Sequence, residues 1–353
     1  MAVTQPRVYV QVGGAQLSPI ECSVFLSLHQ SADTFYFKVP LDNDAGLDEN
    51  FWLDTAPIMV TIVATNDQAA GGLTTMLVGQ ADAPDVDFAL RSVMVRGRDL
   101  TAALTDQATS QQFLNQSNQQ IITTLATQAG LTVNFAGTTD KAGLQFDQDY
   151  TEISDNDAAW NMIVSCAKRL GCIAFVKGTV LYIQPLDNPP SSFYNVRYQR
   201  PTADEIASGN FVTLNCTRNL NLAKDASIEI KGKRHKQGDV LTSKFESKGK
   251  NTSTAKILYQ FRGANPTKEQ QDRIAQNHLK ETLSHERGVN LTNLPGDVRV
   301  TPLSGLSLTG TGTAADQDYI LSSTAHHWSE KGYAMDIAAH SQDASRGEPV
   351  QVQ

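Results

Sequence analysis

Residues 20–40 read IECSVFLSLHQSADTFYFKVP, and their period decides the fold class. Ile20, Cys22, Val24, Leu26 and Leu28 are apolar at every second position, and Phe35, Phe37 and Val39 repeat the pattern before Pro40 closes it. In an extended chain alternate side chains share a face, whereas a helix would need apolar residues three and four apart. The stretch therefore predicts two half-buried strands. The same texture continues outward, with Val8, Val10 and Val12 upstream. Downstream come Ile58, Val60 and Ile62, then Met76 to Val78, then Val93 and Val95. Gly13-Gly14, the acidic stretch DNDAGLDEN (42–50) and Gly71-Gly72 punctuate these runs. Short strands separated by turn signals, with no helical period, predict a small barrel or sandwich.

The period changes after Arg98. Residues 117–130 (SNQQIITTLATQAG) open with Ser117 and carry Gln120 three positions on, a capping-box pattern that satisfies free backbone donors at a helix start. Ile121, Ile122, Leu125 and Ala129 form one face, and Gly130 can take the left-handed cap. A second helix is marked by Ser154 and Asp157, with Trp160, Ile163, Val164, Ala167 and Leu170 at helical spacing. Lys168 and Arg169 suit its negative C-terminal end, and Gly171 stops it. Residues 172–185 (CIAFVKGTVLYIQP) read as a hairpin turning at Lys177-Gly178.

Prolines make residues 187–201 (DNPPSSFYNVRYQRP) a loop or linker. Strands are then predicted at Phe211–Asn215, Ser227–Lys231 and Ile257–Phe261. A third helix is predicted from Asn265-Pro266 to about Arg287, with Ile274, Ala275, Leu279 and Leu283 inward. Further strands are expected at Asp297–Thr301, Leu306–Thr309, Tyr319–Ala325 and Tyr333–Ala339, and a frayed tail after Ser341. The chain thus reads as a strand block, an α+β block, and a second strand block interrupted by a helix.

Composition bounds the function. The 353 residues are long enough for two or three domains. A hydrophobic share of 40% argues against disorder. The charged share of 19% falls below the roughly 25% usual for soluble proteins, a hint of surface covered by partners. Lys and Arg number 29 against 37 Asp and Glu, and the net charge of -8 disfavours an electrostatic grip on DNA. The longest apolar stretch, PIMVTIVA at 57–64, has strand length and is too short for a membrane span. The start, MAVTQPRVYV, lacks a basic region followed by an apolar run, so no secretory signal is expected. Cys22, Cys166, Cys172 and Cys216 form no CxxC and read as reduced core thiols.

No chemical motif outweighs its structural reading. Residues 310–315 (GTGTAA) follow a strand and match GxGxxA, but a strand-like YILSST follows where a dinucleotide fold needs a helix. A turn is predicted. His326 and His327 are neighbours on a strand and face opposite ways, so they cannot grip one metal. His278 and His285 stand seven apart on the third helix, too far for a metal pair. Neither HExxH nor GxSxG occurs. Asp42, Asp44, Asp48, Glu49, Asp147 and Asp149 lie in loops, and Asp42 to Gly46 only half matches a calcium loop. Residues 231–250 (KGKRHKQGDVLTSKFESKGK) form the one basic cluster, read as a charged hairpin that protects a sheet edge rather than as a phosphate site. No catalytic, cofactor-binding or metal-binding residue is assigned.

Three segments, in order, carry a resemblance. The first is Leu77-Val78-Gly79 with Val93-Met94-Val95-Arg96-Gly97-Arg98-Asp99-Leu100. The second is Lys168-Arg169-Leu170-Gly171 with Val180-Leu181-Tyr182-Ile183. The third is Leu294-Pro295-Gly296, Gly310-Thr311-Gly312, Tyr319-Ile320-Leu321, His326 and Gly332-Tyr333. Together they resemble the tail hub proteins of contractile-tailed bacteriophages: the late control protein D family, the baseplate hub of Mu-like phages and the base of type VI secretion spikes. The resemblance spans most of residues 1–341. The Lys-rich stretch and His327 depart from the pattern.

The resemblance implies a mainly β chain with α+β character. Two β-barrel-like domains, 1–97 and 187–345, would flank an α+β domain at 98–186, with a helical insertion near 266–287 and a tail at 346–353. It implies a homotrimer whose six barrels make a pseudo-sixfold ring joining the tail tube to the central spike and letting DNA pass. The expected partners are further copies of the chain, the spike, the tail tube and tape measure proteins, and other baseplate proteins. No cofactor, specific nucleic-acid binding or membrane insertion is implied. The expected place is the virion tail baseplate, assembled in the bacterial host cytoplasm. The rival readings are a cell-wall-degrading or sugar-acting enzyme, with an acidic pair lining a cleft, and a carbohydrate- or receptor-binding module. Exposed aromatics would mark the latter, and the aromatic share of 7% disfavours it.

Overall fold

Alternation becomes strand wherever one face can be buried, and the computed structural model shows where. It describes residues 6–28, 30–66, 72–139, 142, 144–146, 149–153, 157–185, 190–220, 226–233, 240–246, 257–263, 268–341 and 350–352. The first block holds β1 (Arg7–Val12), β2 (Ala15–Leu17), β3 (Glu21–Ser27), β4 (Thr34–Pro40), α1 (Glu49–Asp54), β5 (Met59–Thr65), β6 (Thr74–Asp87) and β7 (Ser92–Asp99). Its strands pair antiparallel in the order β2-β1-β5-β6-β7-β4-β3. Val10, Val24, Phe37, Val60, Ile62 and Val95 are fully buried on one face, as their spacing predicts. Ile20 is not: it precedes β3 and is exposed. The acidic stretch, read only as a turn, also holds the start of α1. Asp48 caps this helix by accepting from the Phe51 N–H, and Trp52 packs edge-on against Phe37 in the core. Six residues are too few to show a helical period.

The middle block holds α2 (Thr101–Thr105), β8 (Ala108–Thr109), β9 (Gln112–Leu114), α3 (Asn118–Gln128), β10 (Thr132–Phe135), β11 (Leu144–Phe146), β12 (Asp149–Ile153), β13 (Asp157–Ala158), α4 (Ala159–Arg169), β14 (Cys172–Lys177) and β15 (Val180–Pro185). The Ser117–Gln120 capping box is formed, and Gly130 closes α3 at φ +76°. Ser154 lies outside the described residues. Asp157 sits in β13, just before α4, and accepts from the Asn161 side chain. The hairpin of β14 and β15 turns at Gly178, and β10 adds to it in parallel. Ile121, Ile122, Leu125, Trp160, Ile163 and Ala167 share a core with Leu181 and Ile183.

The last block holds β16 (Phe193–Gln199), β17 (Ser208–Gly209), β18 (Thr213–Arg218), β19 (Ala226–Lys233), β20 (Val240–Glu246), β21 (Ile257–Gly263), α5 (Lys268–Ser284), β22 (Arg287–Leu294), β23 (Gly305–Thr309), β24 (Asp318–Ser329), β25 (Gly332–Ser341) and β26 (Val350–Val352). Several expectations need correction. The proline-rich linker contains β16, which pairs in parallel with β23. The third helix stops at Ser284, so His285 is outside it, and Arg287 opens β22. Asp297–Thr301 is a turn, because the Asp297 carboxylate captures the Arg299 N–H and competes with a ladder. The tail does not simply fray: β26 pairs with β20. The insertion is more than a helix. A four-stranded sheet, β21-β19-β20-β26, carries α5, with Ile228, Ile230 and Phe245 packed on Ala275, Leu279 and Leu283.

One strand joins the two strand blocks. β24 pairs with β25 along one edge. Its other edge is divided: residues 318–320 pair with β23, and Ser323–Trp328 pair with β3 of the first block. Both blocks therefore belong to one 14-stranded sheet, whose pairings do not close into a ring among the described residues. The chain is mainly β with helices.

Candidate functional site

The two places where blocks meet concentrate the unusual side chains. At the β3–β24 seam, Ser23 and His327 are cross-strand partners, with Ser23 Oγ 2.8 Å from His327 Nδ1. The other ring nitrogen, His327 Nε2, lies 3.6 Å from Asp336 on β25. Serine, histidine and aspartate in sequence order would resemble a hydrolytic relay, and no sequence motif joins residues 304 apart. The geometry argues otherwise. Ser23 is 1% exposed in the middle of a paired sheet, so its oxygen meets no substrate. The trio locks the seam.

His326 points to the opposite face, as neighbouring strand positions must. Its Nε2 is 2.9 Å from the Val300 carbonyl, which can only accept. Nε2 therefore carries the proton, and Nδ1 accepts from the Tyr333 hydroxyl at 2.6 Å. Burial holds the imidazole down at about 4 and keeps it neutral. A short network pins the neighbouring turn: Asn66 donates to Asp297 and accepts from the Val298 N–H. Burial works against the charge on Asp297, but the bonds from Arg299 and Asn66 prevail and hold it at about 2.

The second meeting place joins the first block to the middle one. Gly79 pairs with Asp99, and Gly97 with Ala81, where β6 leaves β5 for β7. A Cβ at Gly79 would fall on the Arg98 carbonyl oxygen, and one at Gly97 on the Gln80 carbonyl and the Phe35 ring. Two positions beyond Gly97, Asp99 accepts from both the N–H and the hydroxyl of Thr101, which starts α2. The Asp99 N–H donates to the Asp33 carbonyl, and the Asp33 side chain accepts from Ser27 N–H. Burial pushes Asp33 up to about 8, helped by the nearby Asp99, and pushes Asp99 up to about 7. Next to them Arg98 grips Asp82 and Asp106 with both arms. The spacing Gly79…Gly97-x-Asp99 is thus a close-packed bend followed by a helix anchor.

Trp160 completes this joint. It is 3% exposed, a core residue as its helical spacing predicts, and its indole N–H donates to the Gln30 carbonyl at 2.6 Å. Gln30 holds φ +58°, an uncommon conformation for a residue with a Cβ. Trp160→Phe removes the bond and strands a carbonyl, with an expected loss of about 1–2 kcal/mol. Urea unfolding checks it; unchanged stability would show that the bond contributes nothing.

The other sequence candidates have structural roles. GTGTAA is a turn in which Asp316 accepts from Thr311 and Gly312, and β24 follows. Asp42 accepts from the Ala45 N–H, while Asn43 and Glu49 hold Arg91. Asp147 lies outside the described residues, as does the Asp149 side chain. Of the Lys-rich stretch, 231–233 end β19 and 240–246 form β20, which pair antiparallel, and 234–239 and 247–250 lie outside the described residues; β19 lies between β20 and β21 and is no edge. Lys231 and Lys244 are paired with Glu229 and Glu246 along their own strands. All four cysteines are free and three are buried; Cys216 is exposed on β18. Among the described residues no group of three or more His, Cys, Asp or Glu is arranged to hold a metal, and no helix is long and apolar enough to cross a membrane.

No family model and no curated protein matches the sequence. The fold, in contrast, is shared with solved structures. The tail protein from Neisseria meningitidis MC58 superposes with a TM-score of 0.69 at 13% identity, covering 95% of this chain and 96% of that one. The 43 kDa tail protein of prophage MuSo2 from Shewanella oneidensis gives 0.68 at 13%, over 96% and 99%. The Escherichia coli c3393 protein, a component of the type VI secretion system, gives 0.57 at 9%, over 97% and 79%. The chain has the fold of phage tail and secretion-spike proteins, as its three segments imply.

Proposed function

We propose that the chain is a non-enzymatic hub subunit of a contractile tail. Two barrel-like domains, 1–97 and 187–345, flank the α+β domain at 98–186, and 346–353 form a tail. Three copies close a pseudo-sixfold ring in the virion baseplate between tail tube and central spike, meeting the tape measure and other baseplate proteins there, after assembly in the host cytoplasm. The net charge of -8 is compatible with a passage that DNA crosses without sticking.

One observation carries the reading. β18 pairs only with β22, so its outer edge has no ladder partner among the described residues. Five of its six residues are exposed. Val212 and Leu220, which flank this strand in sequence, are 69% and 67% exposed. An open strand edge among apolar side chains is a hazard in a monomer and a natural seam in a closed ring. The shared fold with tail proteins supports the same conclusion.

Solution mass tests it. The expected value is three times 38.4 kDa. The double substitution Val212→Lys and Leu220→Lys should return the chain to a folded monomer, and the exposed Cys216 should then react faster with a thiol reagent. A wild-type monomer at high concentration would overturn a self-closing ring.

A further inference from the structure

The turn between β24 and β25 and the start of β1 enclose a groove of about 320 Å3. Pro6, Arg7, Trp328, Glu330, Lys331 and Tyr333 line it. The volume lies within the range of small-ligand sites. Two features set it apart from an ordinary surface dent. Trp328 is 7% exposed, yet its indole N–H is buried without an acceptor. A buried donor left unpaired costs about 1–3 kcal/mol, so it is rarely kept without a reason. Arg7 and Lys331 are both exposed, and neither has an ion-pair partner among the described residues.

The lining therefore offers two unpaired cations, Arg7 and Lys331, and few acceptors, with the Trp328 N–H shielded behind the surface. The Tyr333 hydroxyl is committed to His326, so it adds no free donor. The rings of Trp328 and Tyr333 lie 5.0 Å apart and give the groove an aromatic wall. Glu330 is the one acid, which leaves a surplus of a single positive charge. That balance suits one carboxylate and disfavours a dense polyanion. Arg binds a carboxylate with two parallel bonds, and Lys adds a point charge.

We propose that this groove binds an acidic peptide segment. A Glu or Asp side chain sits between Arg7 and Lys331, and a backbone carbonyl of the peptide becomes the acceptor for Trp328. Because the indole N–H is shielded in the free protein, binding must reseat the Trp328 ring, which makes it a reporter.

The experiment labels the indole nitrogens of the full chain, which has three tryptophans, and assigns the Trp328 signal by its loss in Trp328→Phe. An end-blocked Gly-Gly-Glu-Gly-Gly peptide is titrated, with the Gln counterpart and inorganic phosphate as controls. The expected result is a saturable shift of the Trp328 signal with a Kd of about 1 mM or tighter. Affinity should fall at least about tenfold with the Gln peptide, and likewise in Arg7→Gln and Lys331→Gln, which alter only exposed side chains. No shift at millimolar peptide, an equal response to the Gln peptide, or unchanged affinity in both variants would overturn the proposal. Phosphate shifting the signal as strongly as the Glu peptide would overturn the peptide assignment. The ring reading stands or falls separately, on the solution mass.

Discussion

Gly97→Val is expected to cost about 3 kcal/mol or more, a large fraction of the roughly 5–15 kcal/mol by which a folded protein is stable. Its Cβ would fall on the Gln80 carbonyl oxygen and the Phe35 ring, and valine adds two methyls beyond that. The flexible end of a side chain could yield, but the carbonyl cannot move freely. Gln80 is paired with Arg98 on one side and with Met59 on the other. Gly79 is held the same way against the Arg98 carbonyl. The control is Gly14→Ala, where nothing lies within 4 Å of the new Cβ and only the positive φ of +83° is strained. That change should cost about 1 kcal/mol. Urea unfolding of both variants decides. If Gly97→Ala is no worse than Gly14→Ala, close approach of β6 and β7 is not what the glycine serves.

Asp33→Asn is expected to flatten the loss of stability toward alkaline pH. In the unfolded chain Asp33 and Asp99 release their protons near pH 4. Folded, burial holds Asp33 at about 8 and Asp99 at about 7. The native state then keeps protons that the unfolded state has lost, so stability is full below the ordinary carboxylate range and falls as pH rises through 7 and 8. The groups facing the pair are the Ser27, Asp33 and Thr101 N–H, the Thr101 hydroxyl and the Arg98 guanidinium. Asparagine keeps the acceptor for Ser27 and removes the charge. The thermal midpoint should therefore drop by several degrees less between pH 7 and 9 than in the wild type, at about 2–4 °C per kcal/mol. His326 does not contribute to this limb, since it is already neutral there. An unchanged slope would mean that water reaches the pair.

The parts of the fold legible in the sequence are those whose cause is local. The alternation of Cys22, Val24 and Leu26, the Ser117–Gln120 box and the Gly178 turn depend on neighbours within four residues, and each stands where its pattern places it. β16 was hidden by flanking prolines that exclude a helix without excluding a strand. β22 was hidden because a charged helix end runs straight into it. β26 is three residues long, too short for a period, and is a strand only because β20 offers an edge. The candidate seams were half legible. Gly79, Gly97 and Asp99 carried a pattern, but nothing in their spacing says that the glycines admit a carbonyl or that Asp99 meets Asp33.

The sequence by itself determined which faces are apolar, where helices are capped and that His326 and His327 point apart. Only the tertiary structure decided that His327 meets Ser23, that Trp160 reaches Gln30, and that β24 divides one edge between β23 and β3. The reason is physical. Period and capping act over one turn of chain, whereas a ladder between residues some 300 apart depends on which register buries both apolar faces and on the entropy of closing the long loop between them.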